Sequence, residues 1–210
     1  MVRSATAEVK VEVNHVFRGT LLPARPTPLS KAAEDLFTAE LTLPLLDPDE
    51  IYGSKLVAAM DRQHPRDIFD VMQMRAKFPL EGSVLDCFVA YLAGHNRPVH
   101  EVLFSTDAPI ESLFLNHFRG MTADEIQLET LLGARASLKD ELPKALTKKH
   151  RDFLLSLVTC EPGWDLMPFP HLRDLPAIRW KLENLARLKS SNAARFQEQH
   201  DRLADQFRRT

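Results

Sequence analysis

The chain has 210 residues, of which 44% are hydrophobic and 27% are charged, and its formal net charge is −2. A chain of this size and composition can bury a substantial core in one or two domains, and its charge gives no global argument for nucleic-acid binding. It has no apolar run of the roughly 20 residues that span a bilayer and no apolar segment of a secretory signal. We therefore expect a cytoplasmic protein that makes no membrane contact.

The first predicted elements are strands. Residues 8–13, EVKVEV, alternate between charged residues and valine, which is typical of a half-buried strand, and residues 16–24 continue as an extended segment. The three prolines of residues 23–28, PARPTP, exclude a helix interior and predict a linker or loop. Alternation within residues 36–47 predicts a second strand that Pro44 ends or places at an edge.

From Asp47 onward, apolar residues recur at every third or fourth position, which predicts a helical body. Asp47 is the expected N-cap of the first helix, with Pro48 at its first position and Glu50 reaching back to the cap. Thr122 and Glu125 form a candidate capping box. We predict helices over residues 48–62, 66–77, 83–94, 109–116, 122–141, 147–159, 174–189 and 191–207, and an aromatic, proline-rich loop over residues 161–172.

Charged residues concentrate in the first two predicted helices. Lys55 lies in the middle of the first helix, while Arg66, Asp67 and Asp70 open the second, where the two aspartates share a face. A lysine or arginine in a cleft can bind phosphate. The alternatives are a structural ion network that locks the corner between the helices, or a pairing of Lys55 within its own helix. We favour a mixed role, in which the aspartates hold the basic groups in position.

Three other features leave alternatives open. Trp180 is beside Lys181 and could stack on a base, although its spacing favours a core position. The locally basic residues 144–153 and 195–209 are candidate RNA-binding surfaces or ordinary solvated helix faces. Cys87 and Cys160 have no Cys-x-x-Cys partner, the eight histidines lack metal-ligand spacing, and neither a disulfide nor a zinc site is indicated.

The motifs around the helix corner also resemble those of a known family. The pattern E-x4-K from Glu50 to Lys55, followed by R-x3-RD-x2-D from Arg62 to Asp70, resembles the later motifs of the AbiEii/AbiGii toxin family. These are nucleotidyltransferase-fold proteins of bacterial toxin–antitoxin systems. Residues 9–20, VKVEVNHVFRGT, resemble the strand that carries the family's third active-site carboxylate. Residues 175–188, LPAIRWKLENLARL, resemble a C-terminal helix common in the family.

The resemblance implies an α+β fold, with a partial mixed-sheet nucleotidyltransferase lobe over residues 1–46 and a mostly α-helical lobe over residues 47–210. It also implies the roles of individual residues. Glu12 is the implied metal ligand, and the alternative is an exposed strand glutamate paired with a neighbouring base. The implied catalytic residues are Glu12, Asp67 and Asp70, and the implied nucleotide-binding residues are Lys55, Arg62 and Arg66.

Nucleotidyltransferases of this fold also carry a Gly-Ser followed by a D-x-D pair, and the 210 residues contain no such arrangement. We therefore expect this chain to bind magnesium weakly or not at all, and to be catalytically incomplete. The resemblance implies a nucleoside triphosphate, an acceptor such as RNA, and an antitoxin protein as partners, and the strand edge suggests a homodimer. The rival hypothesis is a non-catalytic helical interaction module that binds a protein partner such as a cognate antitoxin.

Overall fold

The computed structural model of the chain describes the strand backbone of residues 2–3 and 8–9, together with residues 19–38 and 40–210. Within these residues, short strands precede a helical body. The elements are β1 (Val2–Arg3), β2 (Glu8–Val9), β3 (Arg25–Pro28), α1 (Lys31–Phe37), β4 (Thr42–Leu45), α2 (Pro48–Asp61), α3 (Pro65–Arg75), α4 (Gly82–Ala93), α5 (Val99–Leu103), α6 (Glu111–His117), α7 (Leu128–Ala145), α8 (Lys148–Val158), α9 (Pro176–Ser191) and α10 (Ala193–Arg209).

The prediction of an α+β fold with a mostly helical body is confirmed. The described strands form two antiparallel pairs, β1 with β2 and β3 with β4. None of the helices in residues 19–38 and 40–210 is long and apolar enough to cross a bilayer.

The segment PARPTP is partly a strand, so the prediction of a linker is wrong for Arg25–Pro28. Pro26 of β3 is opposite Pro44 of β4. Neither proline has a backbone N–H, and a two-stranded pair tolerates both because they can occupy positions that make no ladder hydrogen bond. The strand predicted from residue 36 is also shorter than expected, because α1 extends to Phe37 from an N-cap at Ser30.

The main core lies between α2, α4 and α8. Gly53 of α2 permits a close approach to α4, because a Cβ atom at this position would lie 2.6 Å from the backbone nitrogen of Phe88. A smaller apolar cluster joins α3, α6 and α7 through residues that include Ile68, Phe114 and Leu131. The helix α10 covers α5, α8 and α9. Packing of α2 against its neighbours therefore sets the position of every charged side chain on this helix.

Two predictions about α7 and α9 are wrong. The helix predicted from residue 122 begins at Leu128, because Thr122 donates its hydroxyl to the carbonyl of Asp124 and caps no helix. Trp180 is 60% exposed and is not a core residue; its neighbour Lys181 is buried instead, and donates to the carbonyls of His95 and Arg97. Helical spacing predicts that one face of α9 packs on the body, but it does not identify whether Trp180 or Lys181 lies on that face.

Candidate functional site

Two ion pairs connect α2 with α3. Lys55 Nζ lies 2.7 Å from Asp70 Oδ2, and Arg62 Nη2 lies 2.8 Å from Asp67 Oδ1. Lys55 and Arg62 are seven residues apart, which places them on the same side of the helix, while the two aspartates are three residues apart on α3. We call these two pairs the ion-pair ladder. It brings together four of the residues that the sequence motifs single out.

Local signals in the sequence build the corner that carries the ladder. Asp47 caps α2 by accepting a hydrogen bond from the backbone N–H of Asp49, as predicted. Beyond the end of α2, Gln63 adopts a left-handed conformation with φ of 50°. His64 then caps α3 through Nδ1, which accepts from the N–H of Arg66. Burial lowers the pKa of His64, which favours the neutral ring that this cap requires. His64 is therefore a corner residue.

The cations of the ladder retain access to solvent. The side chain of Lys55 is 39% exposed and that of Arg62 is 63% exposed, whereas Asp67 is buried beneath its arginine with 7% exposure. A lysine ammonium has three donors and an arginine guanidinium has five, so one ion pair leaves donors free on each. Arg66 is exposed and makes no ion pair with a residue that the structure describes. The arrangement can bind an anion such as phosphate.

Glu50 occupies a different position from the one predicted. It does not reach back to the helix cap but is completely buried, where its carboxylate accepts hydrogen bonds from the backbone N–H groups of Leu21 and Leu22 and from the hydroxyl of Tyr91. Burial and the adjacent carboxylate raise the pKa of Tyr91. Glu50 therefore fastens the segment before β3 to α2, and nothing in the local sequence reveals this contact.

Gln63 is a second structural residue that sequence reasoning missed. Its buried side chain donates to the carbonyl of Thr106 at 2.7 Å and accepts from the backbone N–H of Ala108 and from Arg135 of α7. These bonds tie the corner between α2 and α3 to the segment after α5 and to α7. A positive φ can be predicted from a sequence when glycine or asparagine occupies the position, and a glutamine gives no such signal.

Glu12 lies outside the described residues, so its role as metal ligand stays a prediction. In the part of the chain that the structure describes, no three His, Cys, Asp or Glu side chains are grouped as a metal site requires. Asp67 and Asp70 fit a metal poorly, because each already bonds a cation. The described geometry therefore consists of partly exposed cations, each paired with a carboxylate of α3.

Comparison with known proteins places these motifs in a family. A family model described as nucleotidyl transferase AbiEii toxin, type IV TA system, matches residues 1–184. No curated protein and no solved structure matches the chain. The matched region includes the whole of the ion-pair ladder, the buried Glu50 and the strands before them. This chain belongs to the AbiEii nucleotidyl transferase toxin family.

Proposed function

We propose that this chain is a nucleotidyltransferase-type toxin of the bacterial cytoplasm, that its ion-pair ladder binds the phosphates of a nucleoside triphosphate, and that these 210 residues alone transfer little nucleotide. The observation that carries the proposal is the placement of Lys55 and Arg62 on one side of α2, each held by an aspartate of α3 and each open to solvent. We place the boundary between a strand lobe, residues 1–46, and a helical lobe, residues 47–210, at the start of α2.

The proposed reaction transfers a nucleotide to an acceptor such as RNA. An acceptor hydroxyl oxygen bonds to the α-phosphorus, the bond from that phosphorus to the bridging oxygen breaks, and pyrophosphate leaves. Lys55, Arg62 and Arg66 neutralise charge on the phosphates, and Asp67 and Asp70 act through the cations that they position. Magnesium would supply further charge neutralisation, with Glu12 as its proposed ligand or as the base for the hydroxyl proton.

Binding of nucleoside triphosphates tests the ladder directly. We expect Lys55→Met to weaken ATP or GTP binding by about tenfold in calorimetry, because it removes a charged phosphate partner and leaves most of the aliphatic stem. Lys148→Met is the matched control, since Lys148 is 88% exposed and pairs with an aspartate at 2.6 Å on its own helix. Equal affinities in the two variants would contradict the proposal.

Catalysis requires a separate assay. With magnesium present, we expect the 210-residue chain alone to incorporate little labelled nucleotide into total RNA, because no Gly-Ser in these residues is followed by a D-x-D pair. Strong incorporation that disappears in Glu12→Ala would show that the chain is catalytically complete as it stands.

The exposed apolar side chains of one segment favour a second candidate function. We call β3, α1 and β4 the arm. In α1, Leu36 is 75% exposed and Phe37 is 69% exposed. In and just before β4, three leucines are each about half exposed: Leu41, Leu43 and Leu45. Exposed apolar patches of this kind mark interaction surfaces. We infer that the arm binds a protein, either an antitoxin or a second copy of the chain, which is the role of a non-catalytic interaction module.

Light scattering tests the hypothesis that the arm binds a second copy of the chain. Pro26 and Pro44 cannot donate to an added strand, so association through this arm would use its apolar face and not its edges. We expect Leu43→Ser to weaken a dimer and Met121→Ser, a 60% exposed residue outside the arm, to leave it unchanged. A chain that stays monomeric at high concentration would exclude the homodimer and leave a different protein as the partner.

A further inference from the structure

A cavity of about 620 Å³ opens beside the corner between α2 and α3. Its walls come from the end of α2, from α5 and the segment that follows it, and from α10. Asp61 and Gln63, the two neighbours of Arg62 in the chain, both line it. Its volume is typical of small-molecule sites. Because α10 begins beyond residue 184, one wall of the cavity lies outside the region that matches the family.

The charged side chains that line this cavity are already paired. Arg97 lies 2.6 Å from Asp61 and 3.4 Å from Glu101. Arg202 and Asp205 form ion pairs with residues of their own helix, α10. Three carboxylates and two guanidiniums therefore line the cavity, so its lining has no excess of positive charge that would favour a phosphate. The ion-pair ladder differs because its carboxylates do not outnumber its cations and one of them, Asp67, is buried.

Neutral hydrogen-bonding groups in the lining remain free. The side chains of His100, Thr106 and Gln206 make no hydrogen bond with a residue that the structure describes. Burial lowers the pKa of His100, beside Glu101, Arg202, Glu198 and Lys181, so its ring is neutral at pH 7 and offers one donor and one acceptor. The partly exposed ring of Phe104 adds an aromatic surface. The ligand that matches this lining is uncharged, carries a ring and has several hydrogen-bonding groups.

We propose that the cavity binds the nucleoside part of a nucleotide, with His100, Thr106 and Gln206 bonding the base or ribose and Phe104 packing against the ring. A nucleobase has both a π-face and an edge of donors and acceptors, which this lining complements. The assignment rests on the proposed function, because the cavity begins at Asp61 and Gln63, which flank Arg62 of the ladder in the chain. It extends that function by naming where the base and sugar bind.

Uncharged nucleosides are the appropriate probes, because they lack the phosphates that the ladder would bind. Adenosine, guanosine, cytidine and uridine are titrated into the full chain by calorimetry. At least one should bind, and Gln206→Ala and Thr106→Ala should each weaken it by about fivefold or more, as the loss of one hydrogen bond predicts. Gln197→Ala is the matched control, because Gln197 is on the same helix but bonds Asp201 away from the cavity.

The same titrations separate this inference from the proposed function. Lys55→Met should weaken triphosphate binding and leave nucleoside binding unchanged, and pyrophosphate should not displace a nucleoside. Two results together would support the cavity and contradict the proposed function: a nucleoside binds in a manner that depends on Gln206, and Lys55→Met has no effect on triphosphate binding. Absence of nucleoside binding at millimolar concentration, or an equal loss in Gln197→Ala, would overturn the assignment.

Discussion

The close approach of α2 and α4 at Gly53 makes a specific prediction about stability. A Cβ atom there would lie 2.6 Å from the backbone nitrogen of Phe88, 2.7 Å from Cys87 Cβ and 2.8 Å from Cys87 C. Two of these atoms belong to the backbone of α4, so the helix itself must move. Replacing glycine by alanine in a helix interior normally stabilises by about 1 kcal/mol, and overpacking costs about 1–3 kcal/mol or more.

We therefore expect Gly53→Ala to lower the free energy of unfolding by about 1–2 kcal/mol, because rigid backbone contacts place the overpacking cost at the upper end of its range, above the gain in helix propensity. Urea unfolding followed by circular dichroism measures this difference. Gly133→Ala in α7 is the matched control, since a Cβ there meets no atom within 4 Å, and it should stabilise by about 0.5–1 kcal/mol. Since Lys55 is two residues beyond Gly53, a shifted α2 should also weaken triphosphate binding.

A Gly53→Ala variant as stable as the unsubstituted chain would refute this reasoning, because it would mean that α4 can move away from α2 at little cost. If Gly133→Ala lowered the free energy of unfolding, helix propensity would not determine stability at this exposed position of α7. The pair of substitutions therefore separates the effect of packing from that of the backbone.

Two further predictions concern buried groups of the same region. Glu50→Gln should lower the free energy of unfolding by about 1–3 kcal/mol in urea, because the amide NH₂ group would face the backbone N–H of Leu21 or Leu22. Tyr91→Phe should lower it by about 1 kcal/mol through loss of one hydrogen bond. Equal stability of both variants and the unsubstituted chain would contradict the buried contact. Burial raises the pKa of the Cys87 thiol from 9.0 to about 12. The folded chain thus keeps a proton that the unfolded chain loses, and stability should fall as pH rises from 9 towards 12, less steeply in Cys87→Ala.

The sequence alone determined the elements that have strong local signals. Asp47 followed by Pro48, and a proline after His64, mark the starts of α2 and α3, because capping and the fixed φ of proline depend only on neighbouring residues. The charged motif on these two helices and its resemblance to a toxin family were also readable from the chain. The sequence favoured a role in which the aspartates of α3 hold the basic groups in position, but it left open whether Lys55 pairs with an aspartate of α3 or within its own helix.

Tertiary structure decided which of those alternatives occurs. Glu50 bonds Leu21, 29 residues away, instead of its own helix cap, because a buried carboxylate needs donors wherever the fold provides them. Lys181 is buried while its neighbour Trp180 is exposed, a choice that depends on which side of α9 meets the loop after α4. The cavity beside Arg62 exists only because α10 packs across α5. Contacts between residues far apart in the chain carry no local signal, so periodicity and capping rules could not predict them.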